Sequence, residues 1–394
     1  MRIHTKAVHV GDRKKPAPAI PVTTPIYSAA SYFYETTEEL DRIFAREEAG
    51  YCYSRYENPS SVALEELVAS LENGHGALAC ASGMAALHMA VLTALADRRK
   101  AVLASTALYG ATFNLLMQVL EPLGVECSFV EICDLGAVCD AIAQRRPGCV
   151  LTETISNPLL RVAPLDRLAA MARDAGAALV VDNTFATPLL AHPLELGAQL
   201  VVHSVTKFLA GHGDVLGGVV VSDEAHYEAL RALARTSGSV LGPFESYLTM
   251  RGIKTFPLRM ERQCANAREL ADWLRKHPRV ERVHFPDDPA HPDAAVVRRL
   301  LPDGLYGAIV SFELRGAGQR EVFAFMDRLK LVVRATSLGD VHTMILYPVM
   351  SSHREISLKQ RERMGIRENL VRISVGIEAI EDVEADLEQA FRDL

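Results

Sequence analysis

Between residues 100 and 222 six short apolar runs recur: KAVLAS, VECSFVE, CVLTET, AALVVDN, QLVVHSV and GGVVVS. Each is too short for a buried helix, and most are too continuously apolar for a strand with one wet face. Stretches with helical spacing, such as PLDRLAAMARDAG, separate them. Strands buried on both faces and interleaved with helices form a mostly parallel sheet wrapped by helices. Upstream, VALEELVASLE puts apolar residues at helical spacing, ALAC reads as a strand, and SGMAALHMAVLTAL reads as another helix. The pattern predicts an α/β large domain over residues 61–245.

The flanks read differently. Residues 1–60 contain PAPAIPVTTPIYSAASYFY, too punctuated by proline to hold a long helix, and are expected to form an extended arm. After an irregular stretch, TSGSVLGPFESYLTMRGIKTFPLRMERQ, comes the helical CANARELADWLRKH. Alternation in AIVSFEL and a final helical DVEADLEQAF complete a smaller α+β domain over 246–394. Division fits the length, since single cores stop growing near roughly 250–300 residues and the chain has 394.

Composition narrows the classes. Hydrophobic residues make up 49% and charged residues 23%, as in a globular protein. A formal charge of -7, with no block of basic residues, argues against a nucleic-acid partner. No apolar run approaches the ~20 residues that span a bilayer, and no apolar segment follows the charged N-terminus, so the expected location is cytoplasmic. Seven cysteines lack the paired spacing of a zinc site or disulfide scaffold and are read as reduced, mostly buried thiols. No metal motif is present.

Open α/β sheets place ligands beyond the carboxyl ends of their strands, so the residues after each apolar run are the ones to examine. After AALVV stand Asp182, Asn183 and Thr184; after QLVVH stand Ser204, Thr206 and Lys207; after ALAC stand Ser82, Gly83 and Met84. Singly, these are ordinary: a helix cap, a solvated lysine, a turn. Together they supply what pyridoxal 5′-phosphate (PLP) requires, namely an amine for an imine, an acid for the ring nitrogen, and a helix start with hydroxyls for the phosphate. A dinucleotide-binding dehydrogenase is disfavoured because no GxGxxG follows an early strand.

Six strings carry a resemblance: YSRYENPS at 53–60, ASGMAAL at 81–87, VVDNTF at 180–185, SVTKFLAGHGDVLGG at 204–218, TSLGD at 336–340 and LVRISVGIE at 370–378. In this order and over nearly the whole chain, they resemble the Cys/Met-metabolism family of PLP enzymes. That family includes cystathionine γ-synthase, cystathionine lyases, methionine γ-lyase and O-acetylhomoserine sulfhydrylase. The resemblance implies a fold-type I PLP-dependent transferase architecture. It implies Lys207 as the Schiff-base lysine and proton carrier, Asp182 as the partner of the pyridinium nitrogen, and Tyr109 as the ring-stacking tyrosine and acid toward the leaving group. Ser82, Gly83, Met84, Ser204 and Thr206 would hold the phosphate, and Asn157 would stand beside the phenolic oxygen. Arg372 would clamp the substrate carboxylate, a task suited to a planar guanidinium, with Thr336 and Ser337 nearby. Tyr53 and Arg55 would reach the neighbouring subunit's phosphate in a homotetramer built as a dimer of dimers.

Departures from the family narrow the substrate. Cystathionine synthases and γ-lyases carry Glu just before SLG, where this chain has Thr336, and many carry a basic residue shortly after YG, where it has Asn114. Both charges that would hold the distal end of cystathionine are thus missing, which tilts the reading toward a smaller, less charged γ-substituent. Methionine γ-lyases carry cysteine directly after YG; here Ala111 stands there. The expected reaction is γ-elimination from a sulfur amino acid to give 2-oxobutanoate, ammonia and a thiol. γ-Replacement is the alternative, and a non-catalytic binding protein is disfavoured by the intact Lys207, Asp182, Tyr109 and Arg372. In HTMILYPVMSSHRE, residues His342, Tyr347 and His353 are expected near the substrate entrance, either as solvated surface or as a specificity loop.

Overall fold

The computed structural model describes residues 1–11, 20–352, 354, 358, 361 and 364–392. Every apolar run of the large domain is a strand: β1 (Gly76–Cys80), β2 (Ala101–Ser105), β3 (Glu126–Val130), β4 (Cys149–Glu153), β5 (Ala178–Asp182), β6 (Leu200–His203) and β7 (Gly218–Ser222). They form one sheet in the order β1-β7-β6-β5-β4-β2-β3, in which only β7 runs against its neighbours.

Continuity of the apolar runs follows from having a core on each face. Val102, Leu151, Val180, Val202 and Val220 pack into one core with helix Gly83–Leu95. Leu103, Val150, Val181, Val201 and Val221 pack into the other. Because side chains alternate along a strand, this parity fixes where the strand-end residues point. Glu153 and Asp182 share the face of helix Gly83–Leu95, whereas Thr154, Asn183 and His203 share the opposite face. Covered on both sides, that helix is apolar nearly all round, and Ser82 caps its start by accepting the Ala85 N–H at 3.0 Å.

A second sheet, ordered β10-β11-β12-β9-β8, follows: β8 (Val280–His284), β9 (Ile309–Leu314), β10 (Val333–Arg334), β11 (Met344–Leu346) and β12 (Leu370–Ser374). It is antiparallel except for β10 with β11. Helix Phe256–Lys276 packs on it, turning Met260, Cys264, Ala267, Leu270 and Leu274 inward at helical spacing.

Three expectations need correction. The helix expected at 264–277 begins at Phe256, and the irregular stretch before it contains a further helix, Pro243–Ile253. Both starts contain a proline in the first turn, where its missing N–H costs nothing, so proline there marks an entry and not a break. The N-terminal arm contains two short helices, Ile3–His9 and Thr37–Phe44, the second capped by Thr36. Of the seven free cysteines, only Cys80, Cys149 and Cys264 are buried, and Cys139 is exposed. No helix of the described residues is long and apolar enough to cross a membrane.

Candidate active site

A cavity of about 420 Å³ opens at the carboxyl ends of the parallel strands, closed on one side by the second sheet. Ser82, Gly83, Met84, Tyr109, Asn157, Asp182, Ser204, Thr206, Lys207, Thr336 and Arg372 all line it. Ser337 belongs to the same site, because its hydroxyl accepts from the Lys207 amine at 3.0 Å. Residues from both ends of the chain thus meet in one place.

Lys207 is placed by its loop. Buried Arg259 donates to the carbonyls of Phe208 and Leu209, at 2.9 and 3.1 Å, and to Gly252 at 2.9 Å. It fits because Gly211, at φ +74°, has no side chain; a Cβ there would lie 1.8 Å from the Arg259 Nη1. From the other side, Gly339 at φ +75° brings the SLG turn against the lysine, with 2.5 Å between an imagined Cβ and the Phe208 nitrogen. Burial, with Arg372 as a like charge, pulls the Lys207 amine down from 10.5 to about 8.

Asp182 lies at the end of β5, its Oδ1 accepting the Thr184 N–H at 3.0 Å. Burial pushes this carboxyl up, against the pull of the Thr184 hydrogen bonds and of His203 behind the sheet. Beside it in register stands Glu153, which the sequence reading missed. Its two oxygens accept the N–H groups of Tyr109, at 2.6 Å, and Asn157, at 3.1 Å. Nothing local in the sequence marks Glu153; strand register does, since it ends β4 on the face that Asp182 shares.

Arg372 projects from β12, 2% exposed. It donates to Asn157 Oδ1 at 2.8 Å and to the Ser337 carbonyl at 3.2 Å, while its Nε is buried with no partner. An unmet buried donor costs about 1–3 kcal/mol, and this guanidinium lines the cavity, where a ligand could meet it. Burial pulls this guanidinium down to about 10.

The residues present fit PLP. Gly83 and Met84 begin a helix whose first N–H groups have no intrahelical acceptor, and a Cβ on Gly83 would lie 2.9 Å from the Ser204 hydroxyl, so only glycine leaves this cradle open. Ser204 and Thr206 flank it, and Thr184 holds the Ser204 N–H at 2.9 Å.

Tyr53 and Arg55 are not in the cavity of their own chain. Tyr53 is 43% exposed, and Arg55 donates to the Arg235 carbonyl and stacks over Tyr56, with 4.9 Å to the ring centroid. In the 342–355 segment the expected entrance residues divide. Tyr347 is fully buried and donates to the Glu368 carbonyl at 2.8 Å, so it is a core residue. His342 is exposed, hydrogen-bonded to Asp340, and does not line the cavity; His353 lies outside the described residues. The segment's contribution to the cavity comes instead from Leu346, Ser351 and Ser352. Among the described residues no group of three or more His, Cys, Asp or Glu is placed to hold a metal ion.

A mostly parallel α/β sheet with an amine, a buried acid and a phosphate cradle at its carboxyl edge defines a PLP-binding enzyme of the fold-type I class. The sequence model of the Cys/Met metabolism PLP-dependent enzymes matches residues 4–392, and the chain belongs to that family, with PLP as its cofactor. It is 40% identical over 390 residues to an L-methionine γ-lyase of Fusobacterium nucleatum subsp. polymorphum, covering 98% of this chain and 97% of that one. It is 38% identical over 400 residues to the cystathionine γ-lyase of Bacillus subtilis strain 168, covering 100% of both. The crystal structure of cystathionine γ-synthase from Xanthomonas oryzae pv. oryzae in complex with cystathionine superposes with a TM-score of 0.92, at 34% identity and over 100% of both chains. Its relatives are lyases and transferases of sulfur amino acids.

Proposed function

We propose that the protein catalyses γ-elimination from a sulfur amino acid with a small uncharged γ-substituent, methionine foremost, releasing 2-oxobutanoate, ammonia and a thiol. One observation carries this choice. Among the described residues, the charged side chains lining the cavity are Glu153, Asp182, Lys207 and Arg372. The first two face the ring site, Lys207 is the amine, and Arg372 suits the substrate α-carboxylate. What is left toward the second sheet is uncharged: Thr336, Ser351 and Ser352 with apolar Leu216, Leu338 and Leu346. A methylthio group suits such a wall, whereas the distal ammonium and carboxylate of cystathionine would meet no counter-charge there, at a cost of about 1.5–3 kcal/mol for each charged hydrogen bond forgone.

When bound, PLP supplies the electron sink that stabilises negative charge at the substrate Cα. The protein's part is to hold and move protons. Asp182 keeps the ring nitrogen protonated. Lys207, depressed to about 8, has a sizeable neutral fraction near neutral pH and accepts the Cα proton; Ser337 fixes where that amine points. Tyr109, lining the cavity, donates to the departing γ-sulfur. Arg372 grips the α-carboxylate through its fork and keeps its orientation through Asn157.

γ-Replacement is the second reading, favoured by the close likeness to a cystathionine γ-synthase; an incoming thiol would then add in place of product release. A product assay over methionine, cystathionine, homocysteine, cysteine and O-acetylhomoserine, with and without added thiol, separates the two. Ketoacid from methionine without thiol supports elimination; turnover only with thiol refutes it.

Assembly and location complete the proposal. Tyr53 and Arg55, facing away from their own cavity, serve the phosphate of a neighbouring subunit within a homotetramer. Seven free thiols suit a reducing compartment, the cytoplasm.

A further inference from the structure

Glu153 and Asp182 occupy directly paired positions on β4 and β5, on the same face, so two carboxyl groups stand side by side at the back of the cavity. Neighbouring strands lie about 4.7–4.9 Å apart, so same-face neighbours in register on these parallel strands have Cβ atoms roughly 5 Å apart. At that distance, away from water, two negative charges repel strongly, and the pair holds one proton more readily than none. The other charged groups facing them are Lys207, from the loop after β6, and Arg372, from β12, both lining the same cavity; Tyr109 is the remaining titratable neighbour. His203 approaches Asp182 from behind the sheet, hydrogen-bonded to buried Glu72 at 2.5 Å. The positive influence of His203 thus favours charge on Asp182, while no cation contributes to Glu153, which burial and Asp182 push up to about 8.

Geometry gives Glu153 a second task. Its Oε1 takes the N–H of Tyr109 and its Oε2 the N–H of Asn157. Tyr109 starts a five-residue helix, Gly110–Asn114, and its side chain, 40% exposed, has little packing of its own. One carboxyl therefore anchors the backbone that carries the tyrosine to the backbone that carries the asparagine holding Arg372.

We propose that Glu153 is a positioning residue: its carboxyl ties Tyr109 to Asn157 and carries the proton of the acid pair, leaving Asp182 charged for the ring nitrogen. This rests on the PLP-site reading and adds a residue to it. Glu153→Gln keeps the shape and one acceptor but cannot ionise; Glu153→Ala removes the tie as well.

The test follows visible absorbance of the holoenzymes against pH, together with the rate of PLP release on dilution. A carboxyl that carries the proton is neutral, as glutamine is, so Glu153→Gln leaves the midpoint of the absorbance titration within about half a pH unit of wild type, whereas losing a carboxylate, which would favour the protonated cofactor, would lower it by about a pH unit or more. PLP release quickens by about tenfold in Glu153→Ala, the equivalent of one or two lost ordinary hydrogen bonds, and Glu153→Gln, which keeps one acceptor, restores part of it. A midpoint that falls by about a pH unit or more in Glu153→Gln overturns the proton assignment, and equal release rates in the two variants overturn the tie. Should Glu153→Ala not fold, the nearly isosteric Glu153→Gln decides by its midpoint alone. Wild-type enzyme that turns over no sulfur amino acid would sink the proposed reaction but leave this titration readable.

Discussion

Gly339 is the position where a single methyl group would test how the SLG turn and the loop after β6 jointly place Lys207, the proposed Schiff-base lysine. Its φ of +75° is left-handed, and a Cβ there would lie 2.5 Å from the Phe208 nitrogen and 2.9 Å from the Lys207 carbonyl carbon. Gly339→Ala therefore meets two costs: about 1–2 kcal/mol for alanine in the left-handed region, and about 1–3 kcal/mol for forcing a methyl into packed backbone. Gly316, at φ +64° with nothing within 4 Å of where a methyl would sit, meets only the first. The difference between the two alanine variants, about 1–3 kcal/mol, thus isolates the close approach. Thermal melts of the apoproteins measure it, and PLP affinity reports the functional side, because the atoms that must yield belong to Lys207 and its neighbour. Gly339→Ala should melt below Gly316→Ala and bind PLP more weakly, while Gly316→Ala binds PLP as wild type does. Equal melting and equal PLP affinity in the two variants would refute the claim that the SLG turn seats the lysine.

Four further outcomes are expected. The rate at which apoprotein takes up PLP should rise with pH through about 8 and then level, because the Lys207 amine loses its proton there and not near 10.5; reconstitution followed at the visible band checks this. Arg372→Ala should lower kcat/KM by about 10- to 150-fold, the worth of about 1.5–3 kcal/mol of charged hydrogen bonding to the α-carboxylate, with Arg372→Lys between, as steady-state kinetics would record. Thr336→Glu, which adds a carboxylate to the uncharged wall, should shift the kcat/KM ratio of cystathionine to methionine upward by about tenfold or more; an unmoved ratio would place the distal group elsewhere. Arg55→Ala should speed PLP loss on dialysis, and mixing it with a Lys207→Ala variant should restore full PLP retention in some sites if the arm serves a neighbour.

The apolar runs dictated the large sheet, because a strand covered on both faces must be apolar at every position, and that signature is local. The same logic made Lys207, Asp182 and Gly83 legible, since each follows directly on such a run or opens the helix behind it. Local pattern failed to find the helix starts at Pro243 and Phe256, for proline in a first turn marks an entry only once the chain is known to be entering a helix. Tyr347 was misplaced for a similar reason: a polar tip in a loop-like string says nothing of whether Glu368 waits to receive its hydroxyl. Glu153, Arg259 and the pairing of Ser337 with Lys207 were beyond any linear reading. Glu153 acquires its neighbour from strand register, Arg259 from a helix about 50 residues away from the carbonyls it binds, and Ser337 from a second sheet folded against the first. Chain chemistry set which groups are available and at which strand ends they emerge; only the three-dimensional packing decided which lose water together, and a buried group's charge depends on that company.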